Sequence, residues 1–122
     1  MDLNRSPYAI AGAAAEEVRA LNHRTFDGAG YNRPSQVGDV AGALSALASQ
    51  LPQALRQAAG GFEALVDTGR VQMYDAQGET VAERAGQVYA QLDAAAAAAD
   101  ALSEALKMVQ NLTADIGLRD SA

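Results

Sequence analysis

The chain has 122 residues, with fifteen acidic against nine basic side chains for a formal charge of −6, 29 alanines, no Cys and no Trp. That length suits one domain over residues 1–122, burying roughly two thirds of its unfolded surface. The missing cysteines exclude disulfides, thiolate metal sites and cysteine nucleophiles, and eight scattered arginines with Lys107 as the lone lysine disfavour nucleic acid and anionic membranes as partners.

A core drawn from Ala, Leu and Val, with two Phe and four Tyr, suits closely packed helices better than a sandwich. The expected fold is all-α: a three-helix antiparallel bundle dominated by a long hairpin, with helices over about 7–27, 36–68 and 81–116. The first helix opens on Ser6 as N-cap with Pro7 at the first helical position. Its apolar face is Ala11, Ala14, Val18 and Leu21, and Asp27-Gly28 should stop it, Gly28 supplying a left-handed residue. The short run of small residues near Tyr8 has no basic stretch before it and is followed by Glu16 and Glu17, which argues against a signal peptide. DGAGYNRPS reads as a loop.

In the second helix, Ser35 is the expected N-cap and Gly69 the expected C-cap. Val37, Leu44, Leu51, Ala58 and Leu65 recur every seven residues, and Val40 and Leu47 supply a second seam position that slips to Leu55 and Phe62. An interior proline removes one backbone hydrogen bond, so Pro52 predicts a bend near residues 48–52. GRVQMYDAQGE then reads as a loop.

The third helix starts with a capping box, Thr80 to Glu83. Its expected seam is Val81, Ala85, Val88, Leu92, Ala95, Ala99, Leu102, Leu106, Val109, Thr113 and Ile116, spaced alternately by four and three as in a coiled coil. Gly117-Leu118 suggests a Schellman ending folded back on Leu112, and the last residues are expected to fray. With Leu65 near Val81, the alanine run 94–99 would face residues 47–52, where small side chains admit the bent helix.

Alanines also line the outer face of the third helix. Ala90, Ala94, Ala97, Ala101 and Ala105, with Met108 beyond, form a candidate interface on which the first helix, through Ala11, Ala14 and Ala15, could dock. At about 30 Å the first helix is too short to cover two helices of about 50 Å, so a homodimer is expected, or pairing with another helical protein.

Chemistry is thinly represented. His23, the one histidine, stands with Asn22, Arg24, Tyr31 and Arg33 as a candidate anion or partner site, against the plainer reading that an imidazole at a helix C-terminus favours the dipole. One His without Cys gives no dedicated zinc site, and no cofactor is expected. Glu16 and Glu17 are adjacent and so diverge on a helix. Asp93 and Asp100 share a face better explained by solvation, and no serine sits in a nucleophile elbow, so no catalytic residue is expected and the chain reads as a non-enzyme.

Tyr89-Ala-Gln-Leu-Asp93 resembles the Tyr-x-x-x-Asp/Glu signal of small helical-hairpin substrates of type VII secretion, although it lies inside the third helix and the Trp-x-Gly turn of that family is absent. RSPYAIAGAAAEEVRALNHRT, followed by LASQLPQAL, resembles uncharacterised Ala-rich helical proteins of high-GC Gram-positive bacteria, many beside plasmids and mobile elements. That resemblance covers the first helix and half of the second. It implies a bacterial, cytoplasmic accessory protein and transfers no site. The leading expectation is therefore an interaction or adaptor protein acting as a helical-bundle homodimer, with a type VII-like exported hairpin or a ligand-sensing bundle built on the His23 region as alternatives.

Overall fold

A computed structural model of the chain describes residues 1–75 and 77–119. These form α1 (Pro7–Arg24), a single 3-10 turn (Phe26–Gly28), α2 (Pro34–Asp67) and α3 (Val81–Thr113), with no strand among the described residues. The fold is all-α, a three-helix antiparallel arrangement dominated by the α2–α3 hairpin.

Capping chemistry sets most of the helix starts. Ser6 Oγ accepts the Ala9 N–H at 3.1 Å, and Pro7 follows at the first helical position, where its missing N–H costs nothing. Thr80 Oγ1 accepts from the Glu83 N–H at 3.1 Å, and Glu83 Oε1 accepts from the Thr80 N–H at 3.2 Å, which completes the expected capping box. α2 begins one step before Ser35. Pro34 holds the first helical position, Arg33 before it is extended as a pre-proline residue prefers, and Gln36 Oε1 accepts the Arg33 N–H at 3.2 Å.

The helix ends fall short of the sequence expectation. α1 stops at Arg24 because Thr25 turns its hydroxyl onto the Leu21 carbonyl at 2.8 Å, and the left-handed pair Asp27 and Gly28 lies in the turn beyond. Gly69 takes the left-handed conformation expected of it just past α2. α3 ends at Thr113, whose Oγ1 bonds back to the Val109 and Gln110 carbonyls, and Gly117 has no positive φ, so the Schellman ending does not form. Leu112 and Leu118 are both exposed. The fraying expected at the end of the chain falls in part on residues 120–122, outside the described residues.

The α2–α3 seam is made of small side chains. Gly38, Ala41, Ser45, Ala48 and Pro52 are buried on α2, and Leu55, Ala59, Phe62 and Val66 continue the same alternation of threes and fours as half-buried residues. Facing them on α3 are Val81, Ala85, Val88, Leu92, Ala96, Ala99, Ser103, Leu106 and Thr113. This corrects the expected seams: Val37, Leu47, Leu51 and Leu65 are exposed, and on α3 the seam steps from Leu92 to Ala96 and Ser103 instead of to Ala95 and Leu102. That step inserts one extra residue into the alternation, a stutter that locally unwinds the pairing.

The physical reason is the close approach that small residues permit. Ser45 Oγ donates to the Ser103 carbonyl at 2.9 Å, Ser103 Oγ donates to the Ser45 carbonyl at 3.1 Å, and the two hydroxyls stand 3.1 Å apart. A hydroxyl reaches the facing helix's backbone only when the two backbones run close together. A Cβ on Gly38 would collide with Thr113 Oγ1, and one on Gly42 would stand 2.6 Å from Gln110 Nε2.

These contacts, with Phe62 edge-on to Tyr89 at 5.8 Å, fix an antiparallel register in which Pro52 falls beside Ala96 and Ala99. The alanine run does lie against the proline, as the sequence suggested. α2 is helical throughout Pro34–Asp67, and Pro52 is buried on the seam.

α1 buries no residue of its own and contributes little to this core. Its first half runs beside α2 residues 43–61, so it does not dock on the α3 alanine stripe as expected. The short connection over residues 25–33 returns the chain along the helix it is about to form.

Two glycines in α2 should respond oppositely to alanine. Gly60 has open space where a Cβ would go, so Gly60→Ala should stabilise by about 0.5–1 kcal/mol through helix propensity. Gly38→Ala should lose that gain to the collision with Thr113, and thermal melts of both variants read the difference. Ser45→Leu should cost more than about 3 kcal/mol, since it overpacks the close approach and also removes a buried hydrogen bond.

Candidate functional site

The residues expected to form an anion or partner site gather at the α1–α2 corner without converging. Asn22, His23 and Arg24 occupy the last turn of α1 and are exposed. Arg33 is exposed just before α2, and Tyr31 is half-buried between them. Arg24 folds over the loop: a Cβ on Gly30 would stand 3.0 Å from Arg24 Nη1 and 3.2 Å from the Arg24 carbonyl, and Gly30 has φ +90°. Glycine is needed there for both reasons. Among the described residues the five side chains make no hydrogen bond or ion pair with one another. The corner supplies two cations and an imidazole beside a helix C-terminus, which suits the dipole.

The Tyr89 region is a shallow cavity of about 290 Å³ bounded by Leu55, Arg56, Glu63, Tyr89, Leu92 and Asp93. Burial raises the Tyr89 phenol above its ordinary value, and the Glu63 and Asp67 carboxylates push it further the same way. Tyr89 is half-buried against Phe62 inside α3, which makes it a packing residue in the folded chain.

A larger cleft of about 1300 Å³ separates α1 from α2. Leu3 and Ile10 line one wall, Leu47 and Leu51 the other, and Arg5 is the one ionisable residue among those lining it. Most of its lining is apolar, with Gln50, Gln53 and Gln57 beside Arg5 as its polar side chains. No pattern of residues announced it, because α1 was expected on α3. Among the described residues no group of three or more His, Asp or Glu side chains is placed to hold a metal ion. No helix of the described residues is long and apolar enough to cross a membrane.

The best-organised polar cluster is at the hairpin loop. Arg84 donates to Glu79 Oε2 through Nη2 at 2.7 Å and Nε at 3.2 Å, and Gln87 Nε2 donates to Glu79 Oε1 at 2.6 Å. Glu79 thus ties the loop to the first turns of α3. The spacing of Glu79, Arg84 and Gln87 does not follow a helical i,i+4 pattern, so the cluster was not legible before the loop was seen.

The candidate interface residues Ala90, Ala94, Ala97, Ala101 and Met108 are all exposed on the outer face of α3. They share a stripe as expected, and no part of α1 covers it.

Fold and surface together define a class: a helical hairpin with a loosely attached N-terminal helix, carrying exposed apolar surface. Comparison with protein-family models, curated proteins and solved structures finds no match.

The hydrogen bonds from Arg84 hold the Glu79 carboxyl below its ordinary range, helped by the charge of Arg84 and by Gln87 and opposed by partial burial. A lowered folded-state pKa adds stability above the unfolded glutamate range and loses it as pH falls through the folded value. Glu79→Gln should therefore melt below the parent at neutral pH, with the gap closing once pH drops below about 4. Circular-dichroism melts across pH check this.

Proposed function

We propose that the chain is a non-enzymatic, cytoplasmic interaction protein whose helical hairpin completes its apolar burial against a second copy. One quantity carries the reading. The chain exposes 9445 Å². A folded monomer of 12.6 kDa exposes roughly 6,200 Å² by the usual mass scaling, so this fold leaves an excess of roughly 3,200 Å².

The side chains agree with the area. Among the described residues the buried apolar ones are Ala41, Ala48, Ala85, Ala96 and Ala99, and no bulky side chain is fully buried. Each buried methyl contributes only about 0.8 kcal/mol, while the bulky seam residues such as Leu55, Phe62 and Leu92 are only half-buried and Leu47, Leu51, Leu65 and Leu102 are exposed. An obligate homodimer hides about 1,000–2,500 Å² per chain, an area the excess can supply. The carboxylates on the remaining surface keep such an assembly soluble.

Light scattering behind size exclusion tests the reading over a wide dilution range. A mass near twice 12.6 kDa is expected. A single-chain mass at every concentration would overturn self-association.

A further inference from the structure

We infer that the second copy docks on the aliphatic flank of the hairpin, the side lined by Val37, Leu44, Leu51, Leu102, Val109 and Leu112, and not on the outer alanine stripe of α3. The inference rests on the self-association proposed above and names its surface.

Helical geometry separates the two sides of the hairpin. Successive residues on an α-helix are 100° apart, so the residue before each seam position lies on one flank and the residue after it on the other. Because α2 and α3 are antiparallel and face each other, the "before" positions of both helices share one side of the hairpin. On α2 these positions are Val37, Val40, Leu44, Leu47, Leu51, Ala54, Ala58, Gly61 and Leu65, apolar without exception. Their spacing alternates three and four, so α2 carries a second complete seam beside the one that α3 occupies.

On α3 the matching flank is Ala95, Ala98, Leu102, Val109 and Leu112 toward the helix C-terminus, with Arg84, Gln87 and Gln91 nearer the loop. The exposures are large for these residue types: Leu102 51 %, Leu112 67 % and Val37 40 %. α1 borders only the α2 part of this side, across the open cleft lined by Leu47, Leu51, Ala54, Ala58 and Gly61, and no α3 residue lines that cleft, so the α3 part and Val37, Val40 and Leu44 are free of it.

The opposite flank is chemically distinct. Asp39, Arg56, Glu63 and Asp67 on α2 share it with Asp93, Asp100, Glu104 and Lys107 on α3. A chain of charge −6 repels its own copy unless the contact excludes carboxylates. None of the aliphatic-flank positions carries one, so charge and apolarity select the same side. The alanine stripe offers a methyl per residue and cannot hide the area in excess, whereas Leu and Val side chains can.

The absence of cysteine makes the test direct, because one introduced thiol is the only thiol in the chain. Leu102→Cys and Val109→Cys are compared with Ala90→Cys and Ala97→Cys under mild oxidation of the full chain. Leu102→Glu, Val109→Glu and Ala97→Glu are examined in parallel by light scattering, with circular dichroism reporting helix content. A flank cysteine close to the two-fold axis should yield a disulfide-linked dimer and the stripe cysteines none. Leu102→Glu and Val109→Glu should keep their helix yet weaken the dimer at least about a hundredfold by burying an unpaired charge, while Ala97→Glu leaves it intact. Cross-linking through Ala90→Cys or Ala97→Cys, or dimers that persist in both flank glutamate variants, would overturn the assignment of the face and leave self-association standing. A parent chain that stays monomeric removes both.

Discussion

The reciprocal contact between Ser45 and Ser103 is the constraint on which the rest of the hairpin depends. Each hydroxyl donates to the other residue's backbone carbonyl, so the two helices approach to within reach of a serine side chain. Both serines are buried, and no polar side-chain atom among the described buried residues lacks a partner. A larger side chain at any nearby seam position would separate the backbones and strand those hydroxyls. That explains why Gly38, Ala41 and Ala48 flank Ser45 and why Ala96 and Ala99 precede Ser103: the polar pair and the small residues require each other.

The seam changes character along its length. From Gly38 to Pro52 it is made of small residues and one proline. Beyond Leu55 it passes to Phe62 and Val66 against Val88 and Leu92. The change falls where α3 takes its extra residue between Leu92 and Ala96, opposite Pro52. A proline ring needs room beside the preceding turn, and alanines provide it. Pro52, the stutter and the alanine run are therefore parts of one local solution. The loop end is held differently, by Glu79 gripping Arg84 and Gln87, an electrostatic tie that tolerates wider helix separation.

Helix number, helix type and the antiparallel hairpin were legible in the sequence because caps and seven-residue repeats are local signals. Ser6, Thr80 and Gly69 act as their residue types predict. The choice of seam was not legible. α2 carries two apolar stripes one residue apart, and a rule that places the bulkiest side chains inside selects Val37, Leu44 and Leu51. The structure selects Gly38, Ser45 and Pro52, because close backbone approach with hydrogen bonding outweighs side-chain size. The same error of one position recurs on α3 at Leu102 and Ser103. The placement of α1 was also hidden, since alanines at 11, 14 and 15 fit many surfaces, and the connection over residues 25–33 decides among them. At the corner around His23 the residues were close in sequence and remain close in space, yet nothing draws their side chains together.

The exchange of stripes has a consequence for what the chain can do. Had the leucine stripe faced α3, the backbones would stand farther apart, the serines would face water, and the outer surface would be glycine, alanine and serine. Such a hairpin would bury its bulky groups internally and need no other chain. The observed arrangement does the reverse between Gly38 and Pro52: its smallest side chains lie where the chain meets itself, and Val37, Leu47 and Leu51 stay exposed. Carboxylates on the far flank and none on the aliphatic one give the exposed surface a direction as well as an area. The apolar flank left open for the proposed association follows from the same choice that brings Ser45 to Ser103, because the small seam and the bare leucine flank are two sides of a single rotation of α2 about its axis.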